Sequence, residues 1–280
     1  MSNSLNYPTR SWLFTPATRP ERFAKASESG TDVSIIDLED SVTLNDKADA
    51  RQNAMNLLSS RPSTSLKLAL RINGLDTHAG IEDLYTLLEC NVFPDYIILP
   101  KTESAAHLQI LDHLLTMTGS DTRLIGIIES VTALNAVESI VSATPRLSGL
   151  MFGAADMAAD LGAALAWEPL VQVRARIVAA CAMKSILAID APFFGIHDFS
   201  GLQDETLRAS NFGFSAKSAI HPTQISLINT TFTPTTAEIN RARSVVAENV
   251  KGVGTVNGVM IDEAVARQAR RLLARAGIVD

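Results

Sequence analysis

Cysteine is nearly missing: Cys90 and Cys181 are the only two in 280 residues, and no C-x-x-C pair occurs. A disulfide framework is therefore excluded, and a reducing cytoplasm is the expected setting. No apolar run approaches the ~20 residues of a membrane-spanning helix. The opening "MSNSLNYPTR" lacks the charged-then-apolar profile of a secretory signal. No G-x-G-x-x-G follows the first strand-like run, where "TPATRP" stands instead, which weighs against a dinucleotide-binding doubly wound sheet. Basic residues are not in excess. The 24 Lys and Arg against 30 Asp and Glu give a net charge of −6. That balance argues against a nucleic-acid-binding body, yet it leaves room for an anionic substrate in a locally positive pocket. No linker rich in Gly, Ser or Pro divides residues 11–230, and no segment is of low complexity.

What the chain has is apolar residues at 46% and charged ones at 19%, the balance of a well-cored globular protein. Short apolar runs recur at 11–17, 33–40, 68–74, 96–102, 124–130, 149–156, 188–193 and 214–222. Stretches with helical spacing separate them, among them "DKADARQNAMNLLSS", "ESAAHLQILDHLLTM" and "EPLVQVRARIVAACAMKS". Uninterrupted strands flanked by amphipathic helices imply a parallel sheet covered by helices. Eight such units predict a (β/α)8 TIM barrel, with a doubly wound sheet as the rival. Thr and Pro cluster at "NTTFTPTTAEIN" (229–240). The expected division is a catalytic barrel over 1–230 and a helical extension over 231–280. The last helix, "DEAVARQARRLLARAG", alternates apolar and basic residues so that one face can dock on a neighbour.

In such a barrel the active site lies where the strands end. Polar residues collect there: Asp37, Glu39 and Asp40 after the second strand, Arg71 and Asn73 after the third, Lys101 after the fourth. Glu129 follows "LIGII", Asp156 follows "GLMFGAA", and His221 ends the eighth run. Ionised carboxylates at an apolar mouth are costly unless paired or metal-bound. Oxygen ligands without Cys or a clear His pair favour Mg2+ (or Mn2+) over Zn2+. Each residue also has a plainer explanation. Asp40 and Asp156 could cap helices, Arg71 could neutralise Glu39 or Asp40, and Lys101 and His221 could satisfy loop carbonyls. Both cysteines read as inert thiols.

The segments "RSWLFTPATRPERFAKASESGTDVSIIDLEDSV", "RINGLDTHAGIEDL", "DYIILPKTES", "IIES", "FGAADMAADLG" and "GFSAKSAIHPTQI" resemble the citrate lyase β-subunit-like family. That family stands within the wider HpcH/HpaI aldolase/citrate lyase group that cleaves malyl- and citramalyl-thioesters. The likeness runs in family order from about Arg10 to the last helix, with Ala17 where the family often has Gly. It implies Mg2+ held by Glu129 and Asp156, and Arg71 on the carboxylate and oxygen of a 2-oxo acid. Glu39 and Asp40 would hold metal-bound waters, with Asp37 bracing them. The backbone of Gly153, Ala154 and Ala155 would approach substrate closely, next to Asp156. Asp262, in "GVMIDEAVARQARRLLARA", would be the acid or base supplied to a neighbouring subunit; Ala264 stands where some members have Pro.

The activity so implied is cleavage of a short 3-hydroxyacyl-CoA to acetyl-CoA and a 2-oxo acid, with citramalyl-CoA favoured over malyl-CoA and citryl-CoA. Two alternatives are a citrate lyase β subunit acting on citryl-acyl carrier protein and a catalytically silent binding protein on the same fold. Arg19, Arg22, Lys25, Lys47 and Arg51 are candidate partners for the CoA phosphates. A tail serving a neighbour implies a homotrimer or its multiple. No nucleic-acid or membrane partner is expected.

Overall fold

Each apolar run becomes a strand. The computed structural model of the chain describes residues 9–61, 66–250, 252, 254–256 and 258–278. The ends of both expected units, 1–8 and 279–280, lie outside the described residues. The strands are β1 (Ser11–Pro16), β2 (Val33–Asp37), β3 (Lys67–Arg71), β4 (Tyr96–Leu99), β5 (Arg123–Ile128), β6 (Leu147–Phe152), β7 (Leu187–Asp190) and β8 (Ala216–Ala219). All neighbours are parallel, and β8 returns to β1 with Lys217 opposite Ser11, closing the barrel expected from the alternation.

The layer outside the strands is built from α1 (Arg22–Glu28), α2 (Lys47–Ser59), α3 (His78–Cys90), α4 (Ala105–Met117), α5 (Val131–Asn135) and α6 (Val137–Ile140). It continues with α7 (Ala154–Leu161), α8 (Val171–Lys184), α9 (Phe199–Phe212) and α10 (Ile225–Phe232). Side chains on a strand alternate between its two faces. Trp12, Val33, Ile35, Ala69, Ile98, Ile125, Ile127, Met151 and Ile189 fill the interior. The opposite face of the same strands, with Leu13, Ile36, Leu70, Ile97 and Leu150, packs against the helices. Caps fix where helices begin: Thr77 accepts from Gly80 N, Ser130 from Ala133 N, and Asp198 from Gly201 N. Cys181 is buried, its thiol pushed up to about 12 by burial, and Cys90 is exposed, in line with two inert thiols.

Beyond α10 come α11 (Thr236–Asn249), β9 (Gly254–Val256), β10 (Val259–Ile261) and α12 (Glu263–Arg275). Thr235 and Glu238 form a reciprocal capping box that starts α11. The Gly-rich stretch after α11 forms an antiparallel hairpin, β9 with β10. Ala242, Val245, Ile261, Ala266, Ala269 and Leu273 make a separate small core for this extension. Arg275 Nη2 donates to Phe232 O at 3.3 Å, tying α12 to the end of α10. Among the described residues no helix is long and apolar enough to cross a membrane.

One buried ionic network escaped the sequence reading. Lys217 faces outward from β8 and is fully buried. Its ammonium donates to Asp190 Oδ2 at 2.7 Å, Ala191 O at 2.7 Å and Glu205 Oε1 at 2.8 Å. Arg174 of α8 donates to the other oxygen of Asp190 at 3.1 Å, its guanidinium 4.3 Å from the Trp167 ring. Removing one partner of such a network strands a buried charge. Lys217→Met is expected to lower unfolding free energy by about 3–5 kcal/mol, measured by urea denaturation; a change within the scatter of surface substitutions would show that the network does not hold the β7–β8 wall.

Candidate active site

The same two-residue period decides which side chains reach the mouth. In β2 the interior row of Val33 and Ile35 ends on Asp37; in β3 Ala69 is followed by Arg71; in β5 Ile125 and Ile127 are followed by Glu129. Asp37 and Arg71 are register partners. Arg71 Nε and Nη2 donate to the two oxygens of Asp37 at 2.6 and 2.7 Å. The Phe14 ring lies 4.8 Å from the guanidinium carbon. Burial works against the charge on Asp37, but Arg71 outweighs it and holds the carboxyl below the usual carboxylate range. Asp37 therefore clamps Arg71 rather than bracing the carboxylates of Glu39 and Asp40; toward Glu39 it accepts only the main-chain N–H, at 3.0 Å.

The remaining nitrogen, Arg71 Nη1, lies 2.7 Å from Glu39 Oε2 and 3.4 Å from Asp40 Oδ2. The ion pairs of the plainer reading thus exist. The Glu39 contact is close but out of line with the N–H, so Oε2 is buried without a hydrogen bond. Burial pushes Glu39 up to about 8; Arg71 pulls the other way, while Asp40 and Glu129 add to the rise.

Across the mouth, Glu129 accepts the main-chain N–H of Lys101 at 2.6 Å. Lys101 adopts a left-handed φ of 47° to present it, a conformation that non-glycine residues take up only under constraint. Gly153 continues the interior row of β6, and a Cβ there would lie 2.4 Å from Glu129 Cβ. Only glycine leaves that carboxyl its place. Burial pushes Glu129 up to about 7, the Lys101 N–H opposes this, and Asp156 adds to the rise. The Lys101 ammonium is 3.8 Å from Glu39 Oε1. Burial lowers its pKa, but Glu39, Glu129, Asp40 and Asp156 together raise it.

Asp156 does not end β6. The strand stops at Phe152, Gly153 is the N-cap of α7, and Asp156 is the third helical residue, exposed beside Ala155. No side chain caps α7, and the N-cap positions after β2 belong to Thr43 and Asp46, so neither Asp156 nor Asp40 serves as an N-cap. The first N–H groups of α7, at Ala154, Ala155 and Asp156, have no acceptor within the helix.

Several expected site residues prove structural. Asn73 donates to Leu38 O at 3.0 Å and Asp83 Oδ2 at 2.6 Å. His221 accepts from Thr223 N at 3.3 Å, capping the turn after β8. Lys47 donates to the carbonyls of Leu38 and Glu39 at 2.7 and 2.8 Å, and Arg51 is paired with Asp83 at 2.8 Å. Both are tied to the chain itself, which removes them from the candidates for CoA phosphates; Arg19, Arg22 and Lys25 are exposed. Asp262 caps α12, accepting from Val265 N at 2.9 Å, and makes no contact with Arg71, Glu129 or Asp156 among the described residues of the chain.

Five carboxylates, Asp37, Glu39, Asp40, Glu129 and Asp156, meet three cations, Arg71, Lys101 and Lys47. Fully ionised, the mouth is two positive charges short. No three His, Cys, Asp or Glu side chains converge as a complete metal cage among the described residues. Mg2+, however, usually takes one or two carboxylates and completes its octahedron with waters and ligand oxygens. Glu129 and Asp156 fit that pattern, and the two-charge deficit fits a dication.

The model of the HpcH/HpaI aldolase/citrate lyase family matches residues 10–222. An L-malyl-CoA/beta-methylmalyl-CoA lyase of Rhodobacter capsulatus is 36% identical, covering 95% of this chain and 94% of that protein. The crystal structure of RipC from Yersinia pestis shares 68% identity at a TM-score of 0.75, over 84% of this chain and 99% of that one. CitE of Mycobacterium tuberculosis, in complex with magnesium, acetoacetate and coenzyme A, shares 32% at a TM-score of 0.81, over 98% of this chain and 100% of that one.

Glu39 and Glu129 are raised in the folded chain. Their contribution to stability is therefore full below the ordinary glutamate range and is lost as pH rises through about 7 and about 8. In metal-free protein the urea midpoint is expected to fall between pH 5.5 and 8.5, and to fall less in Glu39→Gln; equal slopes in the two proteins would contradict it.

Proposed function

Because the chain belongs to the HpcH/HpaI aldolase/citrate lyase family, we propose that it is a Mg2+-dependent carbon–carbon lyase that splits a short 3-hydroxyacyl-CoA into acetyl-CoA and a 2-oxo acid. The two-charge deficit at the barrel mouth carries this reading. Glu129 and Asp156 would hold the ion, which acts as a Lewis acid on a substrate oxygen when bound. Citramalyl-CoA, malyl-CoA and citryl-CoA are the candidate substrates, with citramalyl-CoA preferred. A cytoplasmic setting belongs to the same reading.

The chain's own residues divide the remaining work. Arg71 is fixed by Asp37, so it meets the oxo acid with Nη1 and the outer N–H of Nη2, not with the fork edge that Asp37 occupies. Preorganised in this way, it stabilises negative charge on the departing oxo acid without moving. The free N–H groups at the start of α7 suit a carboxylate. Glu39 and Asp40 neighbour Arg71 and bring acceptors to waters around the ion.

A proton must reach the acetyl carbon after cleavage, and Asp262 is the assigned donor. α11, the β9–β10 hairpin and α12 share a small core of their own, and Asp262, at the start of α12, is exposed. Val259 and Met260 on the hairpin are 47% and 63% exposed, an apolar tip suited to a neighbouring subunit. A trimer passing each tail to the next barrel meets both facts.

Purified protein with Mg2+ is expected to release a 2-oxo acid from at least one of the three thioesters, detected by mass; no turnover of any would end the reading. Gly153→Ala should weaken Mg2+ binding about tenfold or more by displacing Glu129, read by calorimetry. Glu129→Ala and Asp262→Asn should each be inactive alone. Co-assembled in equal amounts, they should recover activity, since roughly a quarter of sites then pair an intact mouth with an intact tail. No recovery would place Asp262 outside the neighbour's site.

A further inference from the structure

Glu39 fills a place suited to a carboxylate, yet its own carboxyl is poorly held there. It stands between two cations, with Arg71 Nη1 2.7 Å from Oε2 and Lys101 Nζ 3.8 Å from Oε1. The first contact is out of line with the N–H, and the second is beyond hydrogen-bond reach. Glu39 is nevertheless only 7% exposed, and Oε2 is buried without a hydrogen bond. Buried polar atoms are seldom left in that state. The gap between the two cations is the width of one carboxyl group. A carboxylate better placed in it would bond to both.

The surroundings allow this side chain to leave and the cations to stay. The main chain of Glu39 is held on both sides, its N–H by Asp37 Oδ1 at 3.0 Å and its carbonyl by Lys47 at 2.8 Å. Only the side chain can turn, and Asp40, 62% exposed beside the same Arg71 nitrogen, marks the solvent side. Arg71 keeps its orientation without Glu39, because Asp37 holds its other two nitrogens at 2.6 and 2.7 Å and Phe14 lies against its guanidinium. Lys101 is anchored through its N–H on Glu129 at 2.6 Å. Its side chain is 52% exposed, and its ammonium makes no hydrogen bond among the described residues. Lys47, by contrast, is committed to two carbonyls. The mouth thus offers one fixed cation and one mobile one around a loosely bonded occupant.

We infer that the carboxylate of the 2-oxo acid binds between Arg71 and Lys101 in the place that Glu39 holds in the free chain, so that Glu39 guards the site and Lys101 is its second binding cation. The inference rests on the lyase reading above and adds an occupant and a binding residue to it. Arg71 Nη1, which that reading offers to the oxo acid, becomes available only when Glu39 yields. Lys101 carries three donors on a flexible stem and can follow a ligand oxygen. Because Glu39 competes for the same two cations, the apparent affinity for the acid is lowered by the fraction of chains in which the place is filled.

Metal-free wild-type protein, Glu39→Ala and Lys101→Asn are titrated with pyruvate and followed by ligand-detected NMR, with melting temperatures confirming each fold. Glu39→Ala removes the occupant whether or not its carboxyl carries a proton, and should bind pyruvate about tenfold or more tighter. Lys101→Asn keeps a residue that accepts the left-handed backbone holding Glu129. It should bind pyruvate about tenfold more weakly. Its Mg2+ affinity, read by calorimetry, should hold or rise, since a cation has been taken from beside the ion. Pyruvate binding no tighter in Glu39→Ala than in wild type would overturn the assignment, by making Glu39 a support of the site and not its occupant. Normal pyruvate binding in Lys101→Asn, or loss of Mg2+ and pyruvate by the same factor, would overturn it as well. If wild-type protein with Mg2+ binds no pyruvate, glyoxylate or oxaloacetate and cleaves none of the three thioesters, the lyase reading itself fails; if it cleaves one while Glu39→Ala shows no gain, only the assignment between Arg71 and Lys101 does.

Discussion

The mouth of this barrel is organised by one buried ion pair, Asp37 with Arg71. It joins the last interior positions of two adjacent strands through both carboxylate oxygens. A guanidinium that close to an apolar interior is tolerable only when matched in this way. The match also fixes its orientation. Because two of its nitrogens are committed to the wall, the third is aimed at Glu39 and Asp40, and the loop after β2 is drawn over the mouth. Lys47 holds that loop from behind through the carbonyls of Leu38 and Glu39. The arginine is thereby a fixed electrostatic feature of the barrel and not a mobile surface charge.

Around this fixed charge the acids are deliberately unbalanced. Glu39 and Glu129 rise to about 8 and about 7 because burial is not offset by enough nearby cation. Two carboxyls that tend to keep their protons stand where two positive charges are missing, and a dication and two protons are interchangeable in that sense. On the other side of the barrel the opposite design holds. The Lys217, Asp190, Arg174 and Glu205 group is balanced, buried and turned to the outer face of the strands. The two clusters share residue types but differ in parity along the strand, and parity separates a reactive mouth from a structural wall.

The barrel was legible because its strands are apolar on both faces and its helices carry clear periodicity. Charges that interrupt or follow an apolar run at the interior parity, such as Asp37, Arg71 and Glu129, were legible for the same reason. Asp190 and Lys217 were overlooked although they too interrupt apolar runs, since their significance lies in each other and in α8 and α9, which no single segment reveals. The Arg71–Asp37 clamp depends on strand register, and the sequence alone suggested Glu39 or Asp40 as the partner of Arg71, with Asp37 only bracing them. The hairpin of β9 and β10 was hidden in a Gly-rich stretch too short to show alternation. Lys47 and Arg51 looked like free surface charges because their partners, two carbonyls and Asp83, lie across turns and helices.

Glu129 is secured by the amide of Lys101 and not by its side chain. The ammonium at that position can therefore be exchanged for another group without releasing the carboxylate, provided the replacement accepts the left-handed backbone. Glycine, asparagine and aspartate do so most readily, and each gives the rim a different charge. The architecture thus separates how the acid is anchored from what the entrance attracts, leaving one position through which related barrels can drift toward new ligands while their chemistry stays intact.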